Sequence, residues 1–236
     1  MSKYLTMEQL RKSHNDVKRH LIQRVVGTST RPVHVLDVGC GFGGDLKKWF
    51  GMKVNVHLDM CDPELSSLEE AKQRVGNLNY ENKKINFFHG DITSCPYKKY
   101  DFICYNFSLH YIFENPKLFF RSLNEINKRL KVGGKLFGCI PDSEKFLIRT
   151  PFQDDLGNYI VRNNDNTGYG NFGEKVHVFL ADTPYYHDGP KSEPIAYKDL
   201  LITHLELKNI YMHEWIPIET RWELSNMYSQ FIFVKV

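Results

Sequence analysis

Residues 35–46 read VLDVGCGFGGDL, and this stretch decides the fold. Val33 to Val38 is an apolar, β-branched run of the kind that forms a buried strand. Gly39, Cys40, Gly41, Phe42, Gly43 and Gly44 follow it and satisfy GxGxxG, and a short helix is predicted beyond them through Trp49. A strand, a glycine turn and a helix in that order let the backbone approach a ligand at the strand's carboxyl end. Upstream, Met7, Leu10, His14, Val17, Leu21 and Val25 recur at helical spacing and predict a helix over about 7–26, with Arg11, Lys12, Lys18 and Arg19 on its other face. Downstream, strands predicted at Lys53–Met60, Ile85–Phe88, Phe102–Tyr105 and Lys135–Ile140 alternate with helices at Leu65–Val75 and Pro116–Leu130. Such alternation predicts an α/β, Rossmann-like architecture, a mostly parallel central sheet with helices on both faces. After Pro141, Asp154–Gly173 reads as a polar, mobile loop, and Val176–Leu180 and Gln230–Val236 read as strands.

The composition agrees with an ordinary globular chain. Its 236 residues are 42% hydrophobic and 25% charged, enough to bury one sizeable core, and no internal repeat or biased tract is present. One domain is expected over 1–236. A net charge of +3 permits an anionic substrate but is far below what holding long nucleic acid by charge alone requires. Charged residues interrupt every apolar run well before the ~20 residues of a bilayer crossing, and the N-terminal stretch lacks a signal-peptide core, so a cytoplasmic protein is expected. Cys40, Cys61, Cys95, Cys104 and Cys139 form no CxxC pair, which predicts reduced thiols and no bound metal.

The acids around the glycine turn select the ligand. Asp37 lies two residues before Gly39 and Asp45 directly follows Gly44, so a pyrophosphate here would face fixed negative charge, which disfavours a dinucleotide oxidoreductase. S-adenosylmethionine (SAM) carries no phosphate and presents a sulfonium and an ammonium, which carboxylates attract. Asp59 and Asp62 both fall about 20 residues beyond the turn, the reach at which an acid takes ribose hydroxyls, and Asp62 is the preferred one. Asp91, followed by Ile92 in HGDIT, is placed to meet an adenine amino group. Each acid taken singly also reads as a helix cap or a solvated loop residue.

As a set, these features resemble motif I and the later acids of class I SAM-dependent methyltransferases, over about 33–141. Four further segments resemble the mRNA cap guanine-N7 methyltransferases: HNDVKRHLI from His14, YNFSLHYIFE from Tyr105, GGKLFGCIPDS from Gly133 and LSNMYSQFIFVKV from Leu224. Within that family the whole chain is similar to the methyltransferase domains of large DNA virus capping enzymes of the African swine fever virus type. The resemblance implies an antiparallel C-terminal strand, a SAM-binding core at about 33–141, and acceptor-pocket insertions with C-terminal strands at about 142–236. It further implies that Lys18, Asp37, Gly39, Gly41, Asp45, Asp62, Asp91, Ile92 and Asn106 hold SAM. Asn15, His110, Tyr111, Pro141, Glu193 and Tyr228 would line a guanine pocket, with His110, Tyr111, Glu193 and Tyr228 as its catalytic set. Asn106 stands where the family has Gln, and Glu193 is matched through SEPIAY, in which the proline is displaced.

The implied reaction is methyl transfer from SAM to N7 of a GpppN cap guanine. N7 has a free lone pair and no proton, so in-line displacement needs no general base. The implied partner is 5′-capped RNA. With no KxDG nucleotidyl-transfer motif in the chain, triphosphatase and guanylyltransferase domains of the same polyprotein are candidate neighbours. No membrane partner and a monomeric state are expected. Arg11, Lys12, Lys18 and Arg19, or Lys145 and Arg149, are candidates for the cap's phosphates. Motif I alone fits equally a methyltransferase acting on a small molecule or a protein, and a catalytically silent SAM-fold subunit that stimulates a partner is the alternative from another class.

Overall fold

A computed structural model describes residues 6–76, 84–163, 171–181 and 183–236. The chain opens with α1, Met7–Val26, started by a capping box in which the Thr6 hydroxyl accepts from the Gln9 amide and the Gln9 side chain accepts from the Thr6 amide. Leu10, Leu21, Ile22, Val25 and Val26 of α1 are buried, whereas His14 and Val17 are half-buried beside the site described below. There follow β1 (Val33–Val38), α2 (Leu46–Phe50), β2 (Val56–Asp62), α3 (Leu65–Gly76), β3 (Lys84–His89), β4 (Tyr100–Asn106), α4 (Pro116–Arg129) and β5 (Leu130–Pro141). Asn115 caps α4 by accepting from the Leu118 amide, and Pro116 fills the first turn, where its missing N–H costs nothing.

The second half of the chain supplies α5 (Ser143–Arg149), β6 (Phe152–Gln153), β7 (Tyr159–Arg162), β8 (Lys175–Phe179), β9 (Lys191–Pro194), α6 (Lys198–Glu206), β10 (Ile210–Pro217) and β11 (Tyr228–Lys235). Seven strands form one sheet in the order β10-β11-β5-β4-β1-β2-β3. β1 to β5 pair in parallel, while β11 is antiparallel to both β5 and β10. The order reverses between β1 and β4, which is the crevice where an open α/β sheet binds its ligand. A four-stranded antiparallel sheet, β6-β7-β8-β9, accompanies it.

The predicted α/β sheet is therefore present, with differences that have local causes. β2 runs over Val56–Asp62 rather than Lys53–Met60, because Met52 and Val54 are apolar and buried in the turn ahead of it. Asp59 is thus in mid-strand and Asp62 at the strand's end. Tyr228 opens β11 instead of preceding the last strand. The stretch read as a mobile loop at Asp154–Gly173 instead holds a hairpin turn and β7. Asp154 accepts from the amides of Leu156 and Asn158 and from the Asn158 side chain, which fixes that turn, while residues 164–170 lie outside the described residues. No described helix is long and apolar enough to cross a membrane. The five cysteines are free thiols, four of them buried.

Candidate active site

The glycine turn is shaped by two contacts. Gly39 has φ 73°, and a Cβ there would stand 2.4 Å from the Ser108 Cβ, so only glycine lets the segment after β4 pack against the turn. Gly43, at φ 72°, likewise lets Ala71 of α3 approach. Gly41 differs: a Cβ there would meet nothing within 4 Å, so the turn is open at this point. Asp62 faces it, its carboxylate accepting from the Gly41 amide at 2.7 Å and from the Glu64 amide at 2.9 Å. Burial raises the Asp62 pKa, and the two amide bonds oppose that shift.

Asp45 is the electrostatic centre. It is 7% exposed, and its Oδ1 lies 2.7 Å from both the Lys18 and the Lys48 ammonium, while Oδ2 accepts from the Asn106 amide nitrogen at 2.8 Å. Burial pulls this carboxyl upward, but the two ammonium groups outweigh it and hold Asp45 well below the usual carboxylate range. Desolvation opposes the Lys18 charge as well, yet Asp45 holds its pKa above the ordinary lysine value. Lys48 moves the other way, its charge disfavoured chiefly by burial. Behind this cluster Asp37 accepts from the Trp49 indole at 2.8 Å and is raised to about 7 by burial and by the charge of Asp45. Asp37, expected at the ligand, thus anchors α2 beneath the turn.

The remaining predicted SAM residues separate. Asp59 is in the core, bonded to Asn86 and Tyr100 and paired with Lys98, so of the two acids only Asp62 reaches the turn. Asp91 caps a short turn through the Thr93 amide and hydroxyl and pairs with Arg121, with Ile92 buried beside it. Asn106 Oδ1 is buried and has no hydrogen-bond partner among the described residues, while the same amide's nitrogen holds Asp45.

Next to Asn106 the chain turns sharply. Phe107 has φ 60°, a left-handed conformation uncommon for a non-glycine residue, fixed by its amide bond to Cys139 and by the Ser108 hydroxyl donating to Val38. The turn sets the Phe107 ring edge-on to Tyr228, with centroids 5.2 Å apart, and beneath the Lys18 ammonium at 5.8 Å. His14 and Phe146 complete the aromatic wall around Tyr228. His14 donates to or accepts from Ser225 at 2.7 Å, and burial followed by the Lys18 charge lowers its pKa to about 4, so it is neutral.

The second half of the site gathers distant segments. His110 and Tyr111, from the turn after β4, pack with centroids 4.2 Å apart. His110 Nε2 lies 3.3 Å from Glu193 Oε2 on β9, without hydrogen-bond alignment, so both ring nitrogens are unsatisfied. The Tyr186 hydroxyl donates to Glu193 Oε1 at 2.7 Å, and Tyr111 and Tyr185 share a hydroxyl bond of 2.7 Å. Glu193 lines a narrow cleft with Pro141, Ser143, Phe146 and Ile195, and Pro141 pairs with Tyr228 across β5 and β11. Burial, then the Glu193 charge, raises the Tyr111 and Tyr228 hydroxyls far above the ordinary phenol value, so they remain neutral donors. Asn15 is the exception among the predicted pocket residues: its side-chain oxygen accepts from Lys48, tying α1 to α2.

A model of the mRNA (guanine-N(7))-methyltransferase domain matches residues 3–184. The chain belongs to this family. Among similar proteins, the mRNA cap guanine-N(7) methyltransferase of Candida glabrata is 28% identical, with 97% of this chain and 54% of that protein covered. The Schizosaccharomyces pombe protein of the same name is 30% identical over 65% of this chain and 46% of its own length. The chain spans about half the length of these curated relatives, both of them cellular proteins. Solved structures share the fold at low identity. The PH0226 protein of Pyrococcus horikoshii OT3 has a TM-score of 0.67 at 14% identity, with 100% and 96% of the two chains covered. The glycopeptide N-methyltransferase MtfA complexed with S-adenosyl-L-homocysteine has a TM-score of 0.64 at 12% identity, with 94% and 90% covered. Lys48, Phe107 and Tyr186 also stand in the candidate site, and the sequence did not single them out. Lys48 was legible, since Asp45 and Lys48 are three apart on a helix start.

Proposed function

We propose that the chain is a SAM-dependent cap methyltransferase that transfers a methyl group to N7 of the guanine in GpppN-capped RNA. The reading rests on one observation above all. Side chains from the end of β4, from β5, β9 and β11 converge: His110 and Tyr111 lie against each other with His110 beside Glu193, and Phe107, next to Asn106 in the chain, packs on Tyr228, which pairs with Pro141 of the Glu193 cleft.

The residues of the first compartment fit SAM. Lys18 suits its carboxylate, and the orphaned Asn106 Oδ1 together with Asp45 suits its ammonium. The open face at Gly41 leaves room for the nucleoside beside Asp62, whose carboxylate suits the ribose hydroxyls. When bound, SAM supplies an electrophilic methyl on sulfur. The second compartment fits guanine. Glu193 can accept from the N1 and N2 protons, and the Tyr228, Tyr111 and Phe107 rings offer stacking faces worth on the order of 1–3 kcal/mol per base.

What the protein contributes to catalysis is alignment. Guanine N7 needs no proton removed, so His110 has no base role to perform; the Tyr186 hydroxyl, donating to Glu193, fixes the carboxylate that orients the base. Fixed positioning of two reactants can account for about 7–11 kcal/mol of barrier reduction at its best. The Glu193 charge also favours the positive charge that moves onto the guanine as the bond forms. Titration calorimetry tests the two compartments separately. SAM should bind the free protein, GpppA should bind the protein saturated with S-adenosylhomocysteine, and Glu193→Gln should weaken only GpppA. Loss of both affinities in Glu193→Gln, or SAM binding without any GpppA binding by the wild type, would overturn the two-compartment reading.

A further inference from the structure

Glu193 shares its strand face with a cation. In the antiparallel pairing of β8 and β9, Lys191 stands opposite Val178 and Glu193 opposite Val176. Partners across a ladder point to the same side, so both charged residues lie on the face of the buried valines, while Ser192 between them is exposed. A lysine on the inward face of a strand needs a partner for its ammonium. Lys191 Nζ finds the Tyr185 ring, 5.8 Å from its centroid, and among the described residues it forms no ion pair with a carboxylate.

Tyr185 joins Lys191 to the guanine compartment. Its hydroxyl bonds to that of Tyr111, the residue is 43% exposed, and after burial it is the charges of Glu193, Asp62 and Glu64 that raise its pKa against the Tyr111 bond. Its hydroxyl bond to Tyr111 places it beside the aromatic pair proposed for the guanine. A cation–π contact holds an ammonium in place and leaves its N–H donors available to an anion. Three of the other basic candidates are committed elsewhere: Lys18 to Asp45, and Lys12 and Arg19 to Asp16.

We propose that Lys191, held over the ring of Tyr185, binds the 5′–5′ triphosphate bridge of the capped substrate and so makes the pocket select GpppN over unphosphorylated guanosine. The proposal rests on the cap reading above and deepens it by naming a specificity residue.

The test is equilibrium binding of guanosine, GpppA and a GpppA-capped RNA to the S-adenosylhomocysteine-saturated protein, in the wild type, Lys191→Gln, Lys191→Arg and Tyr185→Leu. Lys191→Gln should weaken GpppA about tenfold, the size of one charge-assisted hydrogen bond, and leave guanosine unchanged. Lys191→Arg should restore most of the loss, and Tyr185→Leu should lose about threefold by freeing the lysine. Capped RNA should lose the same factor as GpppA. Four results would overturn the proposal: equal weakening of guanosine and GpppA, no weakening of either, weakening of capped RNA alone, which would assign the lysine to downstream phosphates, or a wild type that binds none of the three. Only the last of these also removes the cap reading, so the two failures are distinguishable.

Discussion

Replacing Asp45 by alanine removes one carboxylate that two buried ammonium groups share. Lys48 keeps its bonds to Asn15 and to the Gly44 carbonyl, both under 3 Å, so it retains acceptors. Among the described residues Lys18 keeps the Phe107 ring alone, and its side chain is 15% exposed. The variant therefore strands one buried cation, for which the cost is about 3–5 kcal/mol. For a domain of this size each kcal/mol lowers Tm by roughly 2–4 °C, so a fall of about 6–20 °C is expected. The diagnostic step is the double variant Asp45→Ala/Lys18→Met, which removes the stranded charge and should recover about 2 kcal/mol relative to Asp45→Ala alone. Urea unfolding followed by tryptophan fluorescence measures all four members of the cycle, since Trp49 lies behind the cluster. Equal cost of Lys18→Met in the wild-type and Asp45→Ala backgrounds would refute the argument that this carboxylate holds Lys18 in place.

Three other variants probe separate parts of the site. Asp37 has a folded pKa of about 7 against an ordinary 3.8, so the folded state binds the extra proton and wild-type stability should fall as pH rises from about 4 to about 7; Asp37→Asn should abolish that slope and gain up to about 4 kcal/mol at pH 8, seen in urea midpoints across pH. Gly39→Ala combines φ 73° with a Cβ 2.4 Å from the Ser108 Cβ and should cost about 2–4 kcal/mol with loss of SAM affinity; a calorimetric Kd for SAM equal to that of the wild type would contradict the turn's role. Tyr228→Ala should raise KM for capped RNA at least tenfold with KM for SAM within about twofold, as one lost stacking partner predicts.

The half of the fold built on the glycine turn was legible because its strands are apolar runs between helices with caps, glycines and prolines at their ends. The second half was not. β9 reads KSEP, four residues with two charges, and its strand character comes from pairing with β8 rather than from its own composition. β10 has a bulge between Met212 and Glu214 and lies at the sheet edge, with Tyr211, Met212 and Ile216 exposed, so its alternation is broken. In the site, Asp62 was already the preferred acid over Asp59, and the strand ends at Asp62, which accepts from the Gly41 amide, although Met52 and Val54 made the strand read two residues too early. Residue type alone does not show the protein partners of Asp91 and Asn15, which are Thr93 and Arg121 for the first and Lys48 for the second. Glu193 and Tyr186 meet through the β8–β9 pairing and the turn before it, a coincidence that no local pattern encodes.

The central claim, methyl transfer to N7 of a cap guanine, is tested most directly by incubating the protein with labelled SAM and GpppA-capped RNA, with m7GpppA-capped RNA as the blocked control, and digesting the products to nucleosides. The account predicts label in 7-methylguanosine from the first RNA and none gained by the second. Label in any other nucleoside, equal labelling of the blocked RNA, or SAM binding with no transfer to either RNA would contradict it.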